Sequence, residues 1–445
     1  MTYSWSVLRI SVARLILILA TSLLLSSSHA DTVFGQSLSG FDRGNAKAML
    51  AILKDDIKNN YYDKSFRGID LDKRFKDAEL ALNEAQTRDQ LMAIVAQALI
   101  DFNDSHTVFI PPSRSSMIQY GWQMQMIGDY GFITEVRPGS DAEAKGLKRG
   151  DVILSVDGFQ PDRANMWKML YRYYAIMPSR SVNLVVQSPY ESKTRSLDIL
   201  SKIKPGKAVV DYGDLFVRYL SQERDIDHDR DYEIGDDVFI WKMPTFEVSS
   251  DHVDALMNKA SKYKTLILDL RSNSGGYVQT LERLAGYFIE KDTKIAELKG
   301  RKVMKPLMAK SRGDKSFKGK LIVLVDSGSA SASEVFARFC QLEKRCTVLG
   351  DRTEGAVMQA RYFGHETGVG QVLYFGANIT NADIIMSDGQ SVENVGVSPD
   401  ELIKPSGKEL ASRHDPVLSR AVKLAGNELD PIKAGSLFPF EWPKN

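Results

Sequence analysis

The chain has 445 residues, enough for two or three domains, with 43% hydrophobic and 26% charged residues, the balance of an ordinary globular protein. A formal net charge of +1 gives no sign of a basic nucleic-acid surface or an acidic solvating tail. Cys340 and Cys346 have no histidine neighbours that would make a zinc site with them. They leave two readings open, buried thiols or a short-loop disulfide, and the bond needs a Cα separation below about 7 Å.

Residues 1–30 read as a secretory signal. Arg9 and Arg14 precede the apolar run Leu15 to Leu25, and Ser28-His29-Ala30 is a small-x-small cleavage site. The run is short for a membrane span, so cleavage after Ala30 and a periplasmic or secreted location are expected, with no membrane anchor. Residues 31–112 are predicted as a helical domain. "AKAMLAILKDDIKNNYY" and "TRDQLMAIVAQALIDF" carry apolar residues three and four apart, and Thr87 is placed to cap the second. The domain ends in "NDSHTVFIPP", a strand stopped by two prolines.

Residues 113–204 form a second predicted unit. "YGWQMQM" and "GFITEVRPG" read as strands, Ser140 to Glu143 as a capped short helix closed by Gly146, and "GDVILSVDG" as a strand ending in a turn. A helix is predicted from Arg163 to about Ile176, then the strand "SVNLVVQS". The order, and "ITEVRPGSDAEAKGLKRGDVILSVDG" in particular, resembles a bacterial PDZ domain. The resemblance implies that a peptide C-terminus adds as a strand beside Tyr120, Gly121, Trp122 and Met124, against a helix carrying Met166 and Leu170. The same apolar residues equally suit a plain module core.

Residues 205–429 are predicted as a catalytic domain and 430–445 as a tail. Strands at Val238–Met243, Thr265–Leu270, Leu321–Val325 and Thr347–Leu349 alternate with helical patterns, which argues an α/β layered core. The charged "DIDHDRDYEIGDD" reads as a solvated loop, and Asp415-Pro416 as the start of a last helix. In "LIVLVDSGSASASEVFARF" a strand passes through a small-residue turn into a helix, where free N–H groups stabilise an oxyanion. Local physics ranks Ser329 and Ser331 together, with Ser327 and Ser333 behind. "LILDLRSNSGGYV" makes a second glycine turn at a strand end, at Gly275-Gly276.

"DLRSNSGG", "SGSASASE", "GDRTEGA" and "SVENVGVSPD", in this order after the PDZ-like unit, resemble the carboxy-terminal-processing (tail-specific) serine peptidases and their tricorn-like relatives. The resemblance spans about Asp42 to Pro416 and implies a crotonase-like β/α core. It places the nucleophile on Ser331 and the oxyanion hole on the amide of Ala332 with one from Gly275 or Gly276. The tail-specific branch activates its serine with lysine; here that position is Ala356, and no lysine lies between Lys344 and Lys404. Gln359 lies close to that branch's later glutamine. A hydroxyl still needs a base. Of the histidines beyond the signal, His228, His252, His365 and His414 lack a matching context, whereas Ser105-His106 and Glu393 match the tricorn-like pattern. The implied tetrad is Ser331, His106, Ser105 and Glu393, in an exported serine peptidase acting on protein or peptide substrates, with no metal and no cofactor. Three alternatives stay open. One is an inactive peptide- or ligand-binding relative. Another is a Ser–Lys enzyme drawing on Lys305 or Lys310. The third is a crotonase-type enzyme acting on thioesters.

Overall fold

The computed structural model describes residues 38–112, 114, 116–205, 228–368 and 372–443. The expected signal segment, and Asp225 to Asp227 of the charged loop, lie outside them. The first three helices, Gly40–Asn60 (α1), Leu71–Ala81 (α2) and Arg88–Ile100 (α3), follow the apolar spacing. Thr87 caps α3, its hydroxyl accepting the Gln90 N–H. Met49, Leu53 and Ile57 of α1 pack with Val95 and Leu99 of α3 against Phe375, Ala377 and Ile379 of a later strand.

After α3 the chain forms the short strand Val108–Ile110 (β1) and then a five-stranded antiparallel sheet in sequence order. Its strands are Trp122–Ile127 (β3), Tyr130–Val136 (β4), Val152–Val156 (β5), Ser181–Gln187 (β6) and Thr194–Leu200 (β7). Ser116–Gln119 (β2) and Lys202–Pro205 (β8) pair across the entry and exit of this unit. Strand β3 is an edge of the sheet. The short helix Asp141–Ala144 (α4) is capped by Ser140 as its sequence required. The helix predicted from Arg163 starts only at Met166 and runs to Tyr171 (α5), then winds as a π turn over Arg172–Ile176. The Arg163 side chain is instead taken up by Gly128 O, Arg352 O and Asp351. The α5 region is shared: Tyr171 and Ile176 join the helical-domain core, and Tyr173 joins the core of the five-stranded unit.

Arg230–Ile234 (β9), Val238–Lys242 (β10), Thr265–Asp269 (β11), Lys320–Val325 (β14), Cys346–Gly350 (β15) and Glu401–Leu402 (β18) make a six-stranded sheet ordered β18-β15-β14-β11-β10-β9. All neighbours are parallel except β9 on β10. Alternate residues bury on opposite faces: Leu266 and Leu268 face one core, Ile267 the other. That explains why these strands read as unbroken apolar runs. Helices Ser250–Ala260 (α6), Val278–Ala285 (α7) and Ala332–Leu342 (α8) contribute to one core; Pro416–Leu424 and Pro431–Leu437 cover the other.

A second antiparallel sheet, absent from the sequence reading, joins Thr293–Gly300 (β12), Leu307–Ala309 (β13), Met358–Thr367 (β16) and Leu373–Met386 (β17). Strand β1 adds to it with Val108 opposite Asn378. That pairing brings the segment after α3, and with it Ser105 and His106, onto this second sheet. Cys340 on α8 and Cys346 on β15 form a disulfide across a Cα separation of 5.6 Å.

Candidate active site

Ligands in open α/β sheets bind beyond the carboxyl ends of the parallel strands. The turns after β11 and β14 meet there. The four serines of the second turn are now distinct. Ser327 donates to Met126 O, Ser329 to Leu270 O, and Ser333 to Asn273 O and Ala330 O. Ser331 alone of the four does not give its hydroxyl to a backbone carbonyl. It is half-buried at φ 54° and ψ −118°, immediately before the first residue of α8. Positive φ at a non-glycine residue is strained and persists only where surrounding contacts over-determine it.

Those contacts come mainly from Glu334. Its carboxylate is fully buried. It accepts the Ser331 N–H at 3.1 Å, the Gly355 and Ala356 N–H groups at 2.8 and 2.9 Å, and the Thr353 hydroxyl at 2.5 Å. Burial pushes its pKa up to about 8 against these donors. The Ser331 N–H also reaches Ala356 O, at 2.9 Å. Ala356, at the position where the tail-specific branch carries lysine, is therefore a backbone clamp on the Ser331 turn. Gln359 does not replace it: its Oε1 is buried without a hydrogen-bond partner. Lys310 sits at the far end of α7 from Gly276, its carbonyl against Gly286.

Gly275 packs directly on Ser331. A Cβ there would stand 2.7 Å from Ser331 Cβ and 2.9 Å from Ala332 N. The two glycines are not equivalent as donors. The Gly275 N–H donates to Asn273 Oδ1 at 2.8 Å, within its own turn, so it is not available to an oxyanion. Among the described residues nothing accepts from the N–H groups of Gly276 and Ala332.

On the other side, His106 follows Ser105 in the turn before β1. The Ser105 hydroxyl lies 2.8 Å from both His106 Nδ1 and Glu393 Oε2. Glu393 Oε1 accepts the Ser105 N–H at 3.0 Å, and Oε2 also accepts the Val357 N–H at 2.8 Å. Val357 is the residue after Ala356, so the two halves of the site share one backbone segment. Among the described residues no direct hydrogen bond joins Ser331 Oγ to the imidazole. Burial lowers the His106 pKa below the ordinary histidine value, opposed by Asp104, and raises that of Glu393. Asp104 and Glu334 escaped the sequence reading. Their signal, an acidic residue two or three positions from a candidate catalytic group, is common among solvated residues too. Other histidines are engaged elsewhere, His252 with Asp229 and His365 with Asp56.

In the five-stranded unit Tyr120 and Trp122 are buried in the module core. Their side chains therefore do not line an open groove. Gly121, at φ +77°, packs on Ser140, and Met124, Met166 and Leu170 remain half-buried.

The peptidase family S41 model matches residues 238–403, and the PDZ domain model matches residues 113–187. A "Probable CtpA-like serine protease" of Staphylococcus haemolyticus is 25% identical over 360 residues, covering 78% of this chain and 62% of that protein. A "Carboxyl-terminal-processing protease" of Picosynechococcus is 23% identical over 332 residues, covering 72% of this chain and 74% of that one. This chain thus spans less than two thirds of the Staphylococcus protein. The crystal structure of mature CPAF shares the fold with a TM-score of 0.62 at 14% identity, covering 83% of this chain and 94% of that one. Residues 238–403 therefore match peptidase family S41, and residues 113–187 match a PDZ domain.

Proposed function

We propose that this chain is an exported serine endopeptidase that cleaves peptide bonds through an acyl-enzyme, with Ser331 as nucleophile and His106 as its base. One observation carries the reading. The strained Ser331 turn and the Ser105–His106–Glu393 relay are held by adjacent residues, Ala356 through its carbonyl and Val357 through its N–H. The relay fixes the imidazole tautomer. Ser105 has one hydroxyl proton, which goes to Glu393, so His106 Nδ1–H donates to Ser105 Oγ and Nε2 keeps its lone pair. Nε2 takes the Ser331 proton as Oγ attacks the substrate carbonyl carbon. The N–H groups of Ala332 and Gly276 receive the oxyanion, and the imidazolium returns the proton to the leaving amine. Water, deprotonated by the same nitrogen, then releases the acyl group.

The edge position of β3 in its sheet and the half-buried Met124, Met166 and Leu170 suit an extended peptide C-terminus added as a strand. The name of the Staphylococcus relative supports a serine protease, and that of the Picosynechococcus relative supports carboxyl-terminal processing as the activity. The charged start, apolar run and Ala30 site support export. A fluorophosphonate probe tests the chemistry: it should label the wild-type protein on Ser331 and leave Ser331→Ala unlabelled. His106→Ala should lose peptide hydrolysis with its fold intact. Hydrolysis at the wild-type rate in His106→Ala removes His106 as base. Peptide binding without any labelling of wild type favours an inactive binding protein. Because burial depresses the His106 pKa, the acidic limb of kcat/KM should lie below pH ~6.5. A limb above that value contradicts the assignment.

A further inference from the structure

The relay described so far reaches His106 only through its Nδ1 side. A second carboxylate lies under the histidine's own backbone. Asp104 is 1% exposed, and its Oδ1 accepts the His106 N–H at 2.9 Å, the Thr107 N–H at 3.1 Å and the Thr380 hydroxyl at 2.7 Å. Thr380 belongs to β17, so the carboxylate ties the turn carrying His106 to the catalytic domain's second sheet. Its other oxygen, Oδ2, is buried, and the Tyr61 hydroxyl at the end of α1 interacts with this carboxylate. A carboxylate serving only as a turn clamp needs one satisfied oxygen and could be an asparagine. The Asp104 carboxylate instead acts on Tyr61, Arg67 and His106 together, so its field falls on its surroundings.

We infer that Asp104 is a positioning residue for the proposed reaction, fixing the His106 backbone and supplying the negative charge that favours the imidazolium formed when Ser331 is deprotonated. The inference rests on His106 being the base. The charged and titratable groups around this turn are few. Glu393 approaches through Ser105; Tyr61, Tyr62 and Arg67 approach from the helical domain; Asp383 lies on β17 beyond Tyr62. Arg67 turns toward the carbonyls of Phe102 and Asn103 and the hydroxyl of Tyr62. Burial disfavours a charged imidazole, and Asp104 opposes that burial. Asp104 holds the His106 backbone N–H, whereas Glu393 acts on the tautomer through Ser105.

Asp104→Asn separates the two roles, because the amide oxygen still accepts all three hydrogen bonds while the charge is gone. Thr380→Val is the control: it removes one bond to Asp104 and leaves the charge. The measurement is the pH dependence of Ser331 labelling by a fluorophosphonate, with peptide kcat and KM alongside. In folded Asp104→Asn the acidic limb should move down by about one pH unit. Its kcat should fall about tenfold or more with KM unchanged. Thr380→Val should keep the wild-type limb. An unmoved limb in Asp104→Asn overturns the inference, and so does an equal shift in Thr380→Val. Loss of folding in Asp104→Asn also counts against it, since the acceptor bonds remain and the charge would then be structural. The underlying reading fails separately, if His106→Ala labels and hydrolyses like wild type.

Discussion

At the scale of single residues, the site is held by close packing at a glycine and by buried carboxylates that each accept several hydrogen bonds. Gly275 is there because a side chain has no room: at φ +95° an added Cβ would meet Ser331 Cβ and Ala332 N within 3 Å. Gly275→Ala should keep the fold by circular dichroism yet lower kcat about 100-fold, because displacing Ser331 spoils attack geometry. Glu334 makes a prediction about stability. Its native pKa, about 8, stands above the ordinary glutamate value of 4.5. Between these values the native state holds a proton that the unfolded chain has released. Stability therefore falls as pH rises from about 4.5 to about 8 through this group. Denaturant melts at pH 5 and pH 9 should show the difference, and Glu334→Gln should flatten it.

At the scale of elements, the strand-end turns are tied to one another by buried charge. Asp269, fully buried at the end of β11, is paired with Arg271 and Lys242. Arg271 also makes a bidentate pair with Asp415, the cap of the helix at Pro416. Burial alone would raise the Asp269 carboxyl; the two cations hold it well below the usual carboxylate range. Its contribution is thus complete above the ordinary pKa and is lost only as pH falls through the depressed one. Arg271→Met leaves two carboxylates facing each other with one cation fewer, and should cost about 3–5 kcal/mol in urea unfolding at pH 7. A loss under about 1 kcal/mol would show that solvent reaches the cluster.

At the scale of the whole molecule, the PDZ-like unit is seated on the parallel-sheet region by polar contacts near the Ser331 turn. Asp351, after β15, accepts from Arg163 and from the Gly128 N–H, and Ser327 donates to Met126 O. Arg163→Ala removes the ion pair at this seam and should increase amide exchange in residues 113–187 before the catalytic core, measured by mass spectrometry; uniform exchange would mean a seam held by packing alone. The alternation of strands and helices in an α/β core and the helix caps were legible in the sequence, because burial on both faces leaves unbroken apolar runs and a cap needs one residue at one position. The β16–β17 hairpin was not. Arg361, Gly364, His365, Gly376, Asn378 and Asn381 dilute its alternation, and its pairing comes from β12 and β1, distant in sequence. For the site, the motifs by themselves determined which residue types are present: a serine at a strand–helix turn, glycines at a second turn, and no lysine at Ala356. Only the tertiary structure decided which serine is left free by its neighbours and which glycine N–H is already spent. It also decided that Glu393 meets Ser105 and Val357, and that Asp104 joins the His106 turn to Thr380. Those are relations between residues up to hundreds of positions apart, and local sequence carries no distance between them.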